Sequence, residues 1–123
     1  MNNNFENLNL SEDLLKGVYL YGFINPSKIQ IKGINTINTG YDCIIQSQSG
    51  TGKTATYLLG IFNHLDKNTF CQGIIITPTR ELANQVFNVG INLIKFTNFR
   101  LTKCIGGTNI IENKKTIDVI DSL

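Results

Sequence analysis

The chain has 123 residues, of which 41% are hydrophobic and 16% are charged, and its formal net charge is +2. Such a length and composition suit one globular domain, and no apolar run approaches the roughly 20 residues of a membrane span. The polar start "MNNN" excludes a signal or transit peptide. Three scattered cysteines and a single histidine disfavour a zinc site and favour packing thiols in a reducing compartment.

Two helices are predicted at the start of the chain. Ser11 is a typical N-cap, and Gly22 offers the left-handed residue that ends a helix. A second helix is predicted to begin at "NPS", with Asn25 as its cap and Pro26 in its first position. We expect Gly40 to close it.

The rest of the chain alternates between strand and helix patterns. Short apolar runs at 41–46, 73–77 and 101–107 predict strands. Helical spacing follows the first two runs, with apolar positions at Ala55, Leu58, Leu59 and Phe62, and then at Leu82, Val86, Val89, Leu93 and Phe96. This order predicts an α/β fold, in which a parallel sheet is connected by crossover helices.

The first predicted strand leads into a candidate phosphate-binding loop, "SQSGTGKT". Gly50 and Gly52 allow the required backbone angles, Lys53 can reach the β and γ phosphates, and the Thr54 hydroxyl can bind Mg²⁺. Ser47 stands where the general pattern has glycine, and a small side chain suffices there. The nucleotide-binding residues are therefore predicted to be Ser47, Gln48, Ser49, Gly50, Thr51, Gly52, Lys53 and Thr54. A chance Gly/Ser/Thr linker is the alternative, and the flanking strand and helix patterns disfavour it.

Positive charge is concentrated in the second half of the chain. Residues 78–115 contain six Lys and Arg residues against two Glu residues. This excess is a hint of a polyanionic partner, although a solvated surface would look similar.

Four segments, in the same order, resemble motifs of the DEAD-box RNA helicases. Residues 5–30, with Phe5, "GF", "PS" and Gln30, resemble the Q motif. The loop 47–54 resembles motif I, which has Ala where this chain has Ser47. "PTRELA" (78–83) matches motif Ia, and Gly106 and Gly107 match the glycine doublet. The runs "GYDCIIQSQSGTGKTATY" and "CIGGTN" look closest to the branch that contains translation initiation factor 4A.

The resemblance implies a partial RecA-like P-loop domain over residues 5–123, preceded by a helical Q-motif segment, with residues 1–4 disordered. It implies that Gln30 pairs with adenine, which selects ATP, and that Phe5 stacks on the purine ring. The residues that it assigns to RNA binding are Pro78, Thr79, Arg80, Gly106 and Gly107. An intradomain salt bridge is the alternative role for Arg80.

The implied activity is that of an ATP-dependent RNA helicase. Its catalytic residues here would be Lys53 and Thr54, with Mg²⁺ held through ATP. Its partners would be RNA and initiation-factor scaffold proteins, with no membrane, in the cytoplasm or the nucleus. The family's acidic "DEAD" motif and later motifs do not occur in the 123 residues, and Asp118 and Asp121 lack the right spacing. We therefore expect an incomplete first domain that is inactive alone. Another P-loop NTPase, or a non-catalytic fragment that binds nucleotide or RNA, remains the alternative.

Overall fold

The computed structural model describes residues 3–66 and 72–107. Within these ranges a short 3-10 helix, Phe5–Leu8, precedes four α-helices. They are α1 (Glu12–Tyr21), α2 (Lys28–Asn38), α3 (Lys53–Asn63) and α4 (Arg80–Leu93). No helix in the described ranges is long and apolar enough to cross a membrane. The predicted tail after residue 108 lies outside the described residues.

The ends of the first two helices follow from capping chemistry. The prediction for α1 is confirmed, since Ser11 Oγ accepts from the Leu14 N–H (3.3 Å) and Gly22 is left-handed with φ of 104°. The predicted start of α2 is wrong by two residues. Ser27 is its N-cap, and with Gln30 it forms a capping box in which each side chain accepts from the other's backbone N–H. Two unpaired N–H groups are thereby satisfied at once, which the predicted cap at Asn25 would not achieve.

The core lies between the helices, and small residues let their backbones approach closely. An added Cβ at Gly17 of α1 would stand 2.1 Å from the Leu93 carbonyl oxygen of α4. At Gly33 of α2 it would stand 2.3 Å from the Thr56 methyl group of α3. The fully buried hydrophobic side chains at these contacts include Leu14, Val18, Ile34, Leu58, Leu59 and Leu93.

The predicted core positions of α3 are confirmed, because Ala55, Leu58, Leu59 and Phe62 are all at most 3% exposed. In α4, Val86 and Leu93 are buried and Leu82 and Val89 pack against the core. Phe96 was expected on the same face, and that expectation is wrong. The helix ends at Leu93, so Phe96 leaves the apolar stripe and is 44% exposed.

The predicted sheet is not confirmed, since none of the described residues forms a strand. Residues 41–46 and 73–77 take part in no backbone hydrogen bond among the described residues, and a strand requires such a ladder. Ile45 and Ile75 are half-buried, whereas Ile44, Ile74 and Ile76 are at least 76% exposed. Each run thus presents bare isoleucine side chains to solvent.

The cysteines also depart from the expected packing role. Cys43 and Cys104 are exposed free thiols, and Cys71 lies outside the described residues. Both exposed thiols lie in runs that were predicted to be strands.

Amide side chains fix the N-terminal segment to α2 and α3. Asn38 Nδ2 donates to the Leu8 carbonyl (3.1 Å), and Asn63 Nδ2 donates to the Asn9 carbonyl (2.9 Å). The Ser11 N–H in turn donates to Asn63 Oδ1 (3.3 Å). These bonds hold the predicted Q-motif segment beside the helix that follows the phosphate loop.

Candidate functional site

The phosphate loop, residues 47–54, connects an extended-pattern run to the start of α3. Gly50 and Gly52 both have left-handed backbones, with φ of 78° and 94°. A side chain is disfavoured in this conformation, which explains the two glycines. The loop therefore has the local geometry that the sequence pattern requires.

The N-terminus of α3 differs from those of the other α-helices in the described ranges. Ser11, Ser27 and Thr79 cap α1, α2 and α4 with side-chain hydrogen bonds. The cap position of α3 is Gly52, which has no side chain to accept one. The first N–H groups of α3 are thus left without a capping side chain, and a helix start of this kind attracts phosphate oxygens.

Lys53 and Thr54, the predicted catalytic pair, open α3. Lys53 Nζ donates to the Ser47 carbonyl oxygen at 2.5 Å, so its ammonium lies over the loop itself. Thr54 is half-buried in the first turn. No group of three His, Cys, Asp or Glu side chains among the described residues could hold a metal. The Thr54 hydroxyl, in the first turn of α3, is the group predicted to hold Mg²⁺ together with phosphate oxygens.

The predicted Q-motif helix contacts the phosphate loop directly. Ser27 Oγ donates to the Thr51 carbonyl oxygen at 2.8 Å, while the Ser27 N–H donates to Gln30 Oε1 at 2.9 Å. Gln30 is 3% exposed. Its Nε2 lies only 2.5 Å from the position that a Cβ on Gly52 would take, so a side chain at residue 52 would clash with it. The structure thus brings Gln30 and the phosphate loop together. One lone pair of Gln30 Oε1 is used in the cap, which leaves the second lone pair and the Nε2 protons for other partners.

An open cleft of about 420 Å³ lies between the first turns of α2 and the loop. Its volume is within the usual range for small-ligand sites. The helix side provides Ser27, Lys28, Ile29 and Lys32, and the loop side provides Ser47, Gly50 and Thr51. Two ammonium groups beside a phosphate loop suit an anionic ligand.

Phe5 was expected to stack on a purine. Its side chain is 0% exposed and belongs to the core cluster. Its ring packs against Tyr19 edge-on at 6.5 Å and against Phe23 at 6.2 Å, measured between centroids. Phe5 is therefore part of the core in this structure, and its stacking on a purine stays a prediction.

The predicted RNA-binding residues meet at the start of α4. The Arg80 guanidinium contacts Gly107, where an added Cβ would stand 3.0 Å from Nη1. Lys103 fixes the intervening segment, because its Nζ donates to Asn84 Oδ1 (2.6 Å) and lies 4.9 Å from the Phe87 ring centroid. Arg80 of the predicted motif Ia and Gly107 of the glycine doublet therefore lie beside each other, and their role in RNA binding stays a prediction.

The alternative role for Arg80 was an intradomain salt bridge. Arg80 has no carboxylate partner within the described ranges, where the ion pairs all involve Lys16. Thr79 caps the helix by accepting from the Leu82 N–H (3.1 Å). Pro78 has no N–H to offer, so the backbone donors of this helix start come from the residues after it. Among the described residues other than its chain neighbours, no heavy atom lies within 4 Å of the position that a Cβ of Gly106 would take.

Sequence reasoning missed the four residues on the α2 side of the cleft, which are Ser27, Lys28, Ile29 and Lys32. Ser27 carries the tether to the loop, and Lys28 and Lys32 line the cleft beside it. The spacing Ser-x-x-Gln at 27–30 was the available signal, since it is a capping-box pattern. The lysines lie one turn apart on one helix face, a spacing that is common on solvated surfaces as well.

Comparison with known proteins identifies the family. A family model described as "DEAD/DEAH box helicase" matches residues 27–123. The "ATP-dependent RNA helicase FAL1" of Meyerozyma guilliermondii is 49% identical over 114 residues, which are 92% of this chain and 29% of that protein. The "ATP-dependent RNA helicase eIF4A" of Botryotinia fuckeliana is 45% identical over the same shares of the two chains. The chain therefore spans about 29% of the length of these relatives.

A solved structure of S. cerevisiae Dbp5, bound to RNA and ADP BeF3, is similar in fold. The TM-score is 0.77 at 34% identity, over 88% of this chain and 30% of Dbp5. The structural neighbours are RecA-like DEAD-box helicases, which supports the predicted class of fold, while a sheet is not seen among the described residues.

Proposed function

The chain belongs to the DEAD/DEAH box helicase family, and on this premise we propose that it binds ATP and RNA as part of an ATP-dependent RNA helicase. The nucleotide site lies at residues 47–54 together with Gln30. The RNA site lies at the start of α4 and at Gly106 and Gly107. In the whole protein these sites would couple ATP turnover to the separation of RNA strands.

The contact between α2 and the phosphate loop carries the nucleotide proposal. Ser27 bonds to the Thr51 carbonyl, and Gln30 Nε2 lies against Gly52. A base bound beside Gln30 would therefore have its phosphates beside the start of α3. A carboxamide can accept from the N6 amino group of adenine and donate to N7. Guanine has an acceptor, O6, in place of that amino group. This complementarity favours ATP over GTP.

A nucleotide titration of three variants tests this assignment. Gln30→Ala removes both the capping-box acceptor and the amide donor, and it should abolish most of the preference for ATP over GTP. Gln30→Glu keeps an acceptor for the Ser27 N–H, since Glu serves in capping boxes as Gln does. It loses the donor to N7, so it too should lower the preference while α2 keeps its cap.

The matched control is Gln85→Ala, which truncates an exposed glutamine on α4. It should leave both affinities unchanged. Equal affinity of the unaltered chain for ATP and GTP would overturn the adenine assignment. Loss of preference in the control as well would show that the effect is not specific to Gln30.

The RNA site is proposed from the contact of Arg80 with Gly107. A guanidinium at a helix start offers a fork of donors to a phosphate, and the open backbone at Gly106 allows a sugar-phosphate chain to come close. Dbp5, similar in fold, was crystallised with RNA and ADP BeF3. Its complex supports the presence of both ligands on this fold.

Hydrolysis is proposed to need more than these 123 residues. Phosphoryl transfer depends on positioned charges around the metal and the attacking water. Lys53 and Thr54 supply a cation and a hydroxyl, and the bound Mg²⁺ would neutralise charge on the phosphates. The chain as given should therefore show no RNA-stimulated ATP hydrolysis above that of Lys53→Ala. A location in the cytoplasm or nucleus, and initiation-factor scaffolds as partners, are proposed from the sequence's resemblance to the branch of initiation factor 4A.

A further inference from the structure

A chain of hydrogen bonds inside the phosphate loop is centred on Ser47. Its Oγ lies 2.5 Å from Thr51 Oγ1, four residues further along the loop. Thr51 Oγ1 also donates to the Gln48 carbonyl oxygen at 2.7 Å. Because a hydroxyl has a single proton to donate, the Ser47 hydroxyl must be the donor to Thr51. Ser47 thus ties the start of the loop to its middle.

Lys53 is tied to the same residue from the other end of the loop. Its Nζ donates to the Ser47 backbone oxygen, where it bonds to the protein and not to a phosphate. To reach the phosphates of a nucleotide, Lys53 has to leave this carbonyl. The conformation in which Ser47 holds both Thr51 and Lys53 therefore competes with nucleotide binding.

We propose that the Ser47 hydroxyl sets the nucleotide affinity of this loop by stabilising the self-bonded conformation. This inference rests on the proposed nucleotide site. Alanine, which the helicase motif has at this position, keeps the backbone acceptor of Lys53 but removes the bond to Thr51 that holds this carbonyl in place, so that Lys53 can leave it at a lower cost. The Ser47 hydroxyl therefore lowers the nucleotide affinity of this loop relative to a loop that has alanine at the same position.

The test is a titration of the full chain with MgATP, before and after Ser47→Ala. A single hydrogen bond lost on binding corresponds to about a fivefold change in affinity, so Ser47→Ala should bind MgATP about fivefold more tightly. Thr51→Val removes the acceptor of the same bond together with the Thr51 bond to Gln48, and it should also tighten MgATP binding. If the two changes act through one bond, the double variant binds no more tightly than either single variant.

Two further measurements separate this role from a merely structural one. Without nucleotide, Ser47→Ala should melt at the same temperature as the unaltered chain or lower, so that affinity rises while stability does not. Thr39→Val is the matched control, because the Thr39 hydroxyl donates to the Thr36 carbonyl (2.6 Å) at the exposed end of α2 and makes no hydrogen bond to the loop that is seen among the described residues. It should leave the affinity unchanged.

The failure of this inference is distinct from that of the proposed function. If the unaltered chain binds MgATP and Lys53→Ala does not, the nucleotide site stands. In that case, MgATP binding by both Ser47→Ala and Thr51→Val that is equal to or weaker than that of the unaltered chain overturns only the proposed effect of the Ser47 hydroxyl. If neither the unaltered chain nor Ser47→Ala binds MgATP, both proposals are overturned.

Discussion

Gly52 shows how one position serves both halves of the site. Its left-handed backbone lets the loop turn into α3, and the absence of a side chain makes room for Gln30 Nε2. The glycine itself was predictable from the loop pattern. Its contact with Gln30 was not, because it depends on how α2 packs against α3. The burial of Phe5 was likewise hidden, since an aromatic residue upstream of a motif fits a core and a ligand site equally well.

At this scale Lys53→Ala should lower the affinity for ATP at least tenfold and hardly change the stability of the fold. Lys53 donates to one carbonyl of its own loop, which water can replace, whereas a charge-assisted bond to phosphate is stronger. Calorimetric titration with MgATP and thermal unfolding of the same samples measure the two effects.

Lys16→Ala is the control for the loss of one positive charge. Lys16 lies on the surface of α1, beside Glu12 and Asp13 at 3.5 and 3.8 Å, where an ion pair contributes little. An equal loss of ATP affinity in both variants would show that net charge matters and that the position of Lys53 does not.

At the scale of the elements, caps and apolar spacing predicted where helices lie, and tertiary contacts adjusted their ends. Helix α1 begins after Ser11 and ends before Gly22, as expected, because local hydrogen bonds are enough to set both of its ends. The start of α2 was less determined, since Asn25 and Ser27 are both good caps. Ser27 is the cap in the structure, where it also bonds to Thr51, a partner 24 residues away that local patterns cannot reveal.

The close contact of α1 with α4 predicts that a glycine-to-alanine change at Gly17 will lower the stability of the fold and not raise it. Replacing a helical glycine by alanine normally stabilises a helix by about 1 kcal/mol. Gly17→Ala should instead destabilise the fold by about 1–3 kcal/mol, because the new Cβ would stand 2.1 Å from the backbone oxygen of Leu93. Urea unfolding followed by circular dichroism measures the change. A gain in stability would mean that α1 and α4 are further apart than the structure has them.

At the scale of the whole molecule, the described part is a set of helices with apolar runs on one side. The apolar runs at 41–46 and 73–77 predicted strands from their composition, and none of these residues forms a strand in the structure. They could not predict pairing, because a ladder depends on neighbours that lie elsewhere in the chain. The relatives are more than three times longer, so much of what surrounds these runs in them is not among the 123 residues.

RNA binding by the chain should be weak, independent of sequence and steeply reduced by salt, because contacts to the phosphate backbone dominate it. Arg80→Ala should weaken the binding of every single-stranded RNA tested. It should also lower the slope of log affinity against log salt by about 0.7, the value for one phosphate contact. Fluorescence anisotropy at several salt concentrations gives both quantities. Arg100→Ala is a charge-matched control, and an equal fall there would argue against a specific contact at Arg80.

The exposed isoleucine side chains of the apolar runs 41–46 and 73–77 should make the chain self-associate. Ile44 is 97% exposed and Ile76 is 89% exposed, and both lie on runs whose backbone groups have no ladder partner among the described residues. Unpaired apolar edges of this kind are templates for pairing with a second copy. Sedimentation velocity should therefore show mass that grows with protein concentration, and the double change Ile44→Thr and Ile76→Thr should reduce it. Because these side chains are already in water, the change should leave the unfolding free energy of the helical core nearly unaltered. A chain that remains monomeric at high concentration and unfolds cooperatively would contradict this prediction, and it would favour a stand-alone binding module over part of a larger helicase domain.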